Sequence, residues 1–187
     1  MSDSFSTRIA VVGTSCAGKS TMAAALAQHF GLPRVELDAI YWGPDWTPAS
    51  PEEFRARVAL EVAQPGWVVD GNYGLVRDIV WPRAQRVVWL NFGLATVFRR
   101  GLRRTLRRGL TREELWNGNR ESLARQLFTR DSLLLWILTT HRRRRRQFEA
   151  LRASGTYPHL EWVEFRTPRD ADEWLAELTN RRSAPGA

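Results

Sequence analysis

"GTSCAGKST", residues Gly13 to Thr21, follows directly on the apolar run Ile9-Ala10-Val11-Val12, and the fold turns on how that junction is read. Gly13, Gly18, Lys19 and Ser20 match the pattern G-x-x-x-x-G-K-[ST]. The context is the one that gives the pattern meaning: a short β-branched strand enters it and a helix-favouring run, Thr21 to Phe30, leaves it. Glycines admit backbone conformations closed to other residues. Gly13, Thr14, Ser15, Cys16, Ala17 and Gly18 can therefore turn successive N–H groups onto a phosphate, with the positive end of the helix behind them. In that arrangement Lys19 bridges the β- and γ-phosphates of ATP, Ser20 offers its hydroxyl to Mg²⁺, and Thr21 completes the cradle. The chain holds 28 Lys plus Arg but a single lysine, Lys19. The one compact ammonium stands where a phosphate loop needs a point charge.

With 187 residues and 43% hydrophobic content, the chain suits one globular domain, expected over residues 1–180, with a disordered tail over 181–187. The N-terminus shows no signal-peptide pattern, and the longest fully apolar run, Leu133 to Leu138, is too short to span a bilayer. The expectation is a cytoplasmic protein with no membrane partner. Cys16 is the only cysteine, which excludes an intramolecular disulfide and a cysteine-based metal site. The formal charge of +8 and pI of 11.0 indicate anionic partners without choosing among nucleotides, nucleic acid and membrane surfaces. No apolar stripe marks a dimer seam.

Apolar segments and breakers set the element order. Arg34-Val35-Glu36-Leu37 reads as a second strand ending at Asp38, followed by the turn-rich loop "AIYWGPDWTPAS". Ser50-Pro51-Glu52-Glu53 opens a helix with a capping residue, proline at its first position and acids in its first turn. Trp67-Val68-Val69 forms a third strand ending at Asp70-Gly71, Gln85 to Leu90 a fourth and Leu160 to Phe165 a fifth. An arginine-rich helical region after the fourth strand is interrupted around Gly109 to Gly118, then resumes from about Asn119 to Arg152, and a last helix starts near Arg169. Alternation of strand and helix predicts an α/β, three-layer fold with a five-stranded parallel sheet. Ligands gather beyond the carboxyl ends of such strands, which places Gly13, Asp38, Asp70 and Asn91 on one rim.

The ordered set "GTSCAGKST", "LDAIYW", "PEEFR", "WVVDGNY" and "GNRES" resembles the adenylate-kinase-like P-loop proteins known as DNA topology modulation proteins, over roughly residues 8–150. The resemblance implies a nucleotide-kinase-like core with a mobile helical lid, about residues 99–130, and an acceptor pocket beside the P-loop. It also implies that the loop Thr167-Pro168-Arg169 holds the adenine ring. Two positions depart from true adenylate kinases: Cys16 stands where glycine is usual, and "DGNY" lacks the proline-arginine that follows Asp-Gly.

Phosphoryl transfer needs positioning and charge neutralisation more than covalent chemistry. Asp70 can hold Mg²⁺ through water. Asp38 suits a hydroxyl acceptor whose proton it takes, whereas a phosphate acceptor needs cationic clamps. Tyr41, Trp42 and Trp46 can stack on a base or sugar, while Gly71, Asn72, Tyr73 and Arg77 are candidates to contact the acceptor. In "FRRGLRRTLRRGL", Arg99, Arg103 and Arg107 form one helical rail and Arg100, Arg104 and Arg108 another, beside an apolar stripe of Phe98, Leu102 and Leu106. Arg103 and Arg99 are the first choices as clamps on the nucleotide, with Arg120 closing from the far side about glycine hinges at Gly101, Gly109 and Gly118. The five arginines Arg142 to Arg146 wrap every side of a helix and read as a solvated surface or a secondary anion patch, with nucleic-acid contact as the lesser alternative. The leading expectation is Mg-ATP-dependent phosphoryl transfer to a small acceptor, a nucleoside or nucleotide. A kinase of a non-nucleotide metabolite hydroxyl and an ATP-binding protein associated with nucleic acid remain open alternatives.

Overall fold

The computed structural model describes residues 7–111, 116–119 and 132–183. Five strands, β1 (Arg8–Gly13), β2 (Arg34–Glu36), β3 (Trp67–Asp70), β4 (Arg86–Leu90) and β5 (Glu161–Phe165), form one sheet in the order β2-β3-β1-β4-β5. Every pairing is parallel. Around it run α1 (Lys19–Phe30), α2 (Leu37–Tyr41), α3 (Pro51–Glu61), α4 (Arg77–Val80), α5 (Leu94–Thr111), α6 (Leu133–Ala153) and α7 (Pro168–Ser183).

The central strand β1 is apolar along its length because both faces are covered, and its alternate residues enter different cores. Ala10 and Val12 pack with Val69, Val87 and Trp89 beneath Phe54 and Val58 of α3 and Phe148 of α6. Ile9 and Val11 pack with Val68, Val88 and Leu90 against Ala23 and Leu26 of α1, Val97 of α5 and Ala171 of α7. Burying a side chain such as Phe54 or Leu26 contributes about 1.5–3 kcal/mol. Local signals agree with this packing. Ser50 Oγ accepts from Glu53 N at 3.1 Å at the start of α3, and Gly31, in the left-handed region with φ 67°, closes α1.

Three sequence expectations change. The chain after β2 does not stay extended to Asp38: it turns into α2 at Leu37, so Asp38 lies in the first turn of a short helix. On α5 the packed face is Val97, Gly101 and Thr105, while Leu102 and Leu106 face solvent at 37% and 46% exposure. Gly101 lies within continuous helix, where its missing side chain lets α6 approach: a Cβ there would sit 2.7 Å from Ile137 Cδ1. Finally, α7 continues to Ser183, three residues into the segment expected as tail.

Candidate active site

The P-loop leaves β1 at Gly13, whose φ of 152° and close approach to β4 admit only glycine: a Cβ would lie 2.7 Å from the Leu90 carbonyl oxygen. Cys16 and Gly18 both take left-handed conformations, φ 64° and 100°, which turn the backbone around the cradle before α1 begins. Ala17 N donates to Thr14 O at 3.1 Å and closes the turn. Asn72, at the end of β3, grips the loop from the side. Its Oδ1 accepts from Gly13 N at 3.2 Å and its Nδ2 donates to Gly13 O. This amide shapes the loop and also stands in the wall of a cavity that Lys19 lines.

Two cavities open on opposite sides of the loop. One, of about 450 Å³, lies between Gly18 and Thr21, the arginine face of α5 and the first turns of α7. Arg100 Nη1 donates to Ala17 O at 2.8 Å, its guanidinium lying 5.3 Å from the Phe92 ring centroid, and Arg104 Nη1 is 4.0 Å from Cys16 Sγ. Arg103 and Arg107 line the same cavity. Arg99 is exposed and lines neither. The i, i+4 pair Arg100 and Arg104 thus covers the loop, because the buried face is centred on Gly101. Pro168, Ala171, Asp172 and Leu175 form the far wall. Arg169 turns outward to Glu173 at 2.7 Å.

The second cavity, of about 390 Å³, has Thr14, Ser15 and Lys19 on one side, Asp38, Tyr41 and Trp42 on another, and Gly71, Asn72, Tyr73, Trp136, Thr140 and Arg144 around the rest. Tyr73 donates its phenolic O–H to Asp38 Oδ1 at 2.6 Å. Burial, then the Asp38 charge, push the phenol far above its ordinary range, so it remains a donor throughout any working pH. The Tyr73 ring sits among Tyr41 and Phe54, at centroid distances of 4.9 and 5.0 Å. Lys19 Nζ rests 3.5 Å from Thr14 O, beside this cavity.

Asp70 is buried at the tip of β3. Burial raises its carboxyl above the usual range, against the opposing pull of the Lys19 charge and a hydrogen bond with Ser20; Asp38 raises it further and Arg34 lowers it. Arg34 Nη2 stands 3.9 Å from Asp70 Oδ2. Ser20 and Asp70 thus lie near enough for the hydroxyl to act on the carboxylate, beside the ammonium of the loop. Asn91, expected on the same rim, instead donates from Nδ2 to Glu164 at 2.8 Å and ties β4 to β5. Gly71 follows Asp70 in the left-handed range with φ 146°, and Arg77 lies with its guanidinium 5.2 Å from the Trp81 ring centroid, outside the residues lining the larger cavities.

Two asparagines given no role from the sequence hold the loop after α2. Asn119 receives Trp46 N–H on Oδ1 and donates to Gly43 O, both at 2.9 Å, while Asn117 donates to Trp42 O. The segment Trp116–Asn119 therefore clasps the loop that carries Trp42. Arg120 lies outside the described residues. Arg144, expected only as one of five arginines around a helix, lines the second cavity, because Ile137, His141 and Phe148 on the same helical face are buried.

No protein-family model matches the chain, and no curated protein matches it. Among solved structures, it is similar to a gluconokinase from Sinorhizobium meliloti 1021 at 20% identity and a TM-score of 0.48, covering 96% of this chain and 97% of that one. It is likewise similar to a shikimate kinase from Bacteroides thetaiotaomicron at 16% identity and a TM-score of 0.48, covering 95% of this chain and 98% of that one.

Proposed function

We propose that the chain is a Mg-ATP-dependent phosphotransferase acting on the hydroxyl group of a small acceptor. The observation that carries the reading is the pair of cavities on either side of one P-loop, with Arg100 and Arg104 beside the first and Lys19 and Asp38 lining the second.

The residues fit the nucleotide and its metal. The glycine cradle leaves space that a side chain at Gly13 would lose, and Gly18 faces Arg100 Nη1 at 3.2 Å from where a Cβ would stand. Among the described residues no group of three His, Cys, Asp or Glu could hold a metal ion by itself. A lone Ser20–Asp70 pair agrees with Mg²⁺, which keeps most of its waters and is shared with phosphate oxygens. When bound, Mg-ATP supplies the transferable phosphoryl group with part of its charge neutralised.

This chain's residues supply the rest. Backbone N–H groups of the loop and Lys19 fix the phosphates, while Arg100 and Arg104 cover the donor side. Asp38, held by Tyr73, takes the acceptor hydroxyl proton as the acceptor oxygen bonds to the γ-phosphorus and the bond to the ADP oxygen breaks. Tyr41 and Trp42 give the acceptor an aromatic wall suited to a nucleoside, a nucleotide or another small hydroxyl compound. The resemblance to the DNA topology modulation proteins is consistent with this core, and membership of that group belongs to the same proposal.

The test is ADP formation from Mg-ATP across nucleosides, nucleotides and small hydroxyl compounds. Lys19→Ala is expected to abolish acceptor-dependent ADP formation with the fold retained, and Asp38→Asn to lower kcat about 10²–10⁴-fold. Unchanged turnover in Lys19→Ala overturns the assignment.

A further inference from the structure

Arg142, Arg143, Arg145 and Arg146 are exposed, and Arg145 pairs with Glu149 at 3.0 Å. Arg144 differs from its neighbours in the run: it is half-buried and lines the acceptor cavity. Its position follows from helical phase, since Ile137, His141 and Phe148 are buried on the same face of α6, His141 through Nε2 at 2.9 Å from Phe92 O. The guanidinium has five donors but, among the described residues, meets two neutral oxygens at long range, Asn72 O at 3.4 Å and Gln147 Oε1 at 3.3 Å. Among the described residues, no ion pair joins Arg144 or Arg77 to a carboxylate.

We propose that Arg144, supported by Arg77, is an anion subsite of the acceptor cavity, so that the acceptor carries a carboxylate or a phosphate ester as well as the hydroxyl presented to Asp38. This rests on the phosphotransferase reading and names its substrate class. Arg77, also half-buried, lies over Trp81 and lines the small adjoining cleft that shares Gly71, Asn72 and Tyr73 with the acceptor cavity. Burial lowers both guanidinium pKa values, and Arg143 and Arg77 repel the Arg144 charge. Two cations on adjoining, partly desolvated walls repel each other until an anion joins them, and a planar fork suits carboxylate and phosphate oxygens. Lys19 and Asp38 line the same cavity as Arg144, so a molecule within about 390 Å³ has a reacting end and an anionic end assigned.

The test compares kcat/KM of the full chain for glycerol, glycerate and glycerol 3-phosphate, and for each nucleoside against its 5′-monophosphate. Anionic members are expected to exceed neutral ones by about 10- to 100-fold, and the carboxylate and phosphate arms show which anion the site prefers. Arg144→Met should raise KM for the anionic acceptor at least about 10-fold, with little change in kcat or in KM for ATP. Arg144→Lys should recover part of the loss, and Arg145→Met should match the wild type. Preference for neutral acceptors, or an unchanged KM in Arg144→Met whose melting curve shows it folded, overturns the subsite while transfer stands. If no acceptor turns over, calorimetry with glycerate, glycerol 3-phosphate and orthophosphate in saturating Mg-ADP still decides. Binding lost in Arg144→Met supports the subsite although the transfer reading has failed; equal binding, or none to the wild type, removes the subsite as well.

Discussion

Asp70 concentrates the opposing demands on single residues in this site. Its carboxylate is buried and its ionisation is disfavoured, yet the Lys19 charge and Ser20 act to keep it ionised, as the proposed metal-holding role requires. Replacing it with Asn keeps the shape and a hydrogen-bonding group while removing the buried charge. Asp70→Asn is therefore expected to raise Tm in the absence of ligands and to lower kcat by about 10²–10³-fold, a stability gain at the expense of activity. A drop in both Tm and turnover in a melt and an ADP-release assay would contradict that account. Tyr73 acts on Asp38 by a different route, through one charge-assisted hydrogen bond at 2.6 Å. Tyr73→Phe keeps the ring packed against Tyr41 and Phe54, so the expected result is a loss of about 10-fold in kcat with KM for ATP unchanged and Tm nearly so.

At the scale of elements, the pairing of α5 with α6 decides which arginines reach the P-loop. The helices meet where Gly101 leaves room for Ile137, and this contact turns Arg100 and Arg104 inward and Leu102 and Leu106 outward. Alanine at Gly101 gains about 1 kcal/mol of helix propensity, and its Cβ meets only side-chain atoms, the flexible ends of Ile137 at 2.7 Å and Leu134 at 3.3 Å and Cys16 Sγ at 3.6 Å, so Gly101→Ala is expected to lie near neutral. Gly101→Leu cannot be accommodated in that way. It should cost about 1–3 kcal/mol in urea unfolding and should also raise KM for ATP, because the separated helix carries Arg100 and Arg104 with it. A stable Gly101→Leu with unchanged KM would show that the guanidinium positions do not depend on this crossing.

For the molecule as a whole, the sheet places the P-loop tip of β1 between Asp70 at the end of β3 and Leu90 at the end of β4, with one cavity on each side. Ligand binding to such a preformed rim stabilises the native state by mass action. Mg-ATP at 100 times its Kd is expected to add about 2.7 kcal/mol, seen as a rise in Tm of several degrees, and Lys19→Ala should lose most of it at the same concentration. An equal Tm rise in both proteins would place the nucleotide elsewhere. No helix among the described residues is long and apolar enough to cross a membrane.

Local chemistry determined much of this protein before any tertiary contact. The strand, glycines, single lysine and following helix define the P-loop, and the alternation of strands with capped helices defines the parallel sheet, because those signals depend on neighbours a few residues apart. The placement of Asp38 and Asp70 near the loop was legible for the same reason, although α2 replaced the extended end expected before Asp38. What only the tertiary structure decided is which members of a chemically uniform arginine set face inward. The phase of α5 follows from Gly101 meeting Ile137 across 36 residues of sequence, and Arg144 enters the cavity lined by Lys19 and Asp38 because the Ile137–Phe148 face of α6 is buried. Asn72 and Asn119 likewise found their partners in Gly13 and in Gly43 and Trp46, distant loops that no local periodicity connects. Local sequence specifies which groups are available; long-range packing selects the ones that meet, because a side chain's direction depends on what the opposite face of its helix must bury.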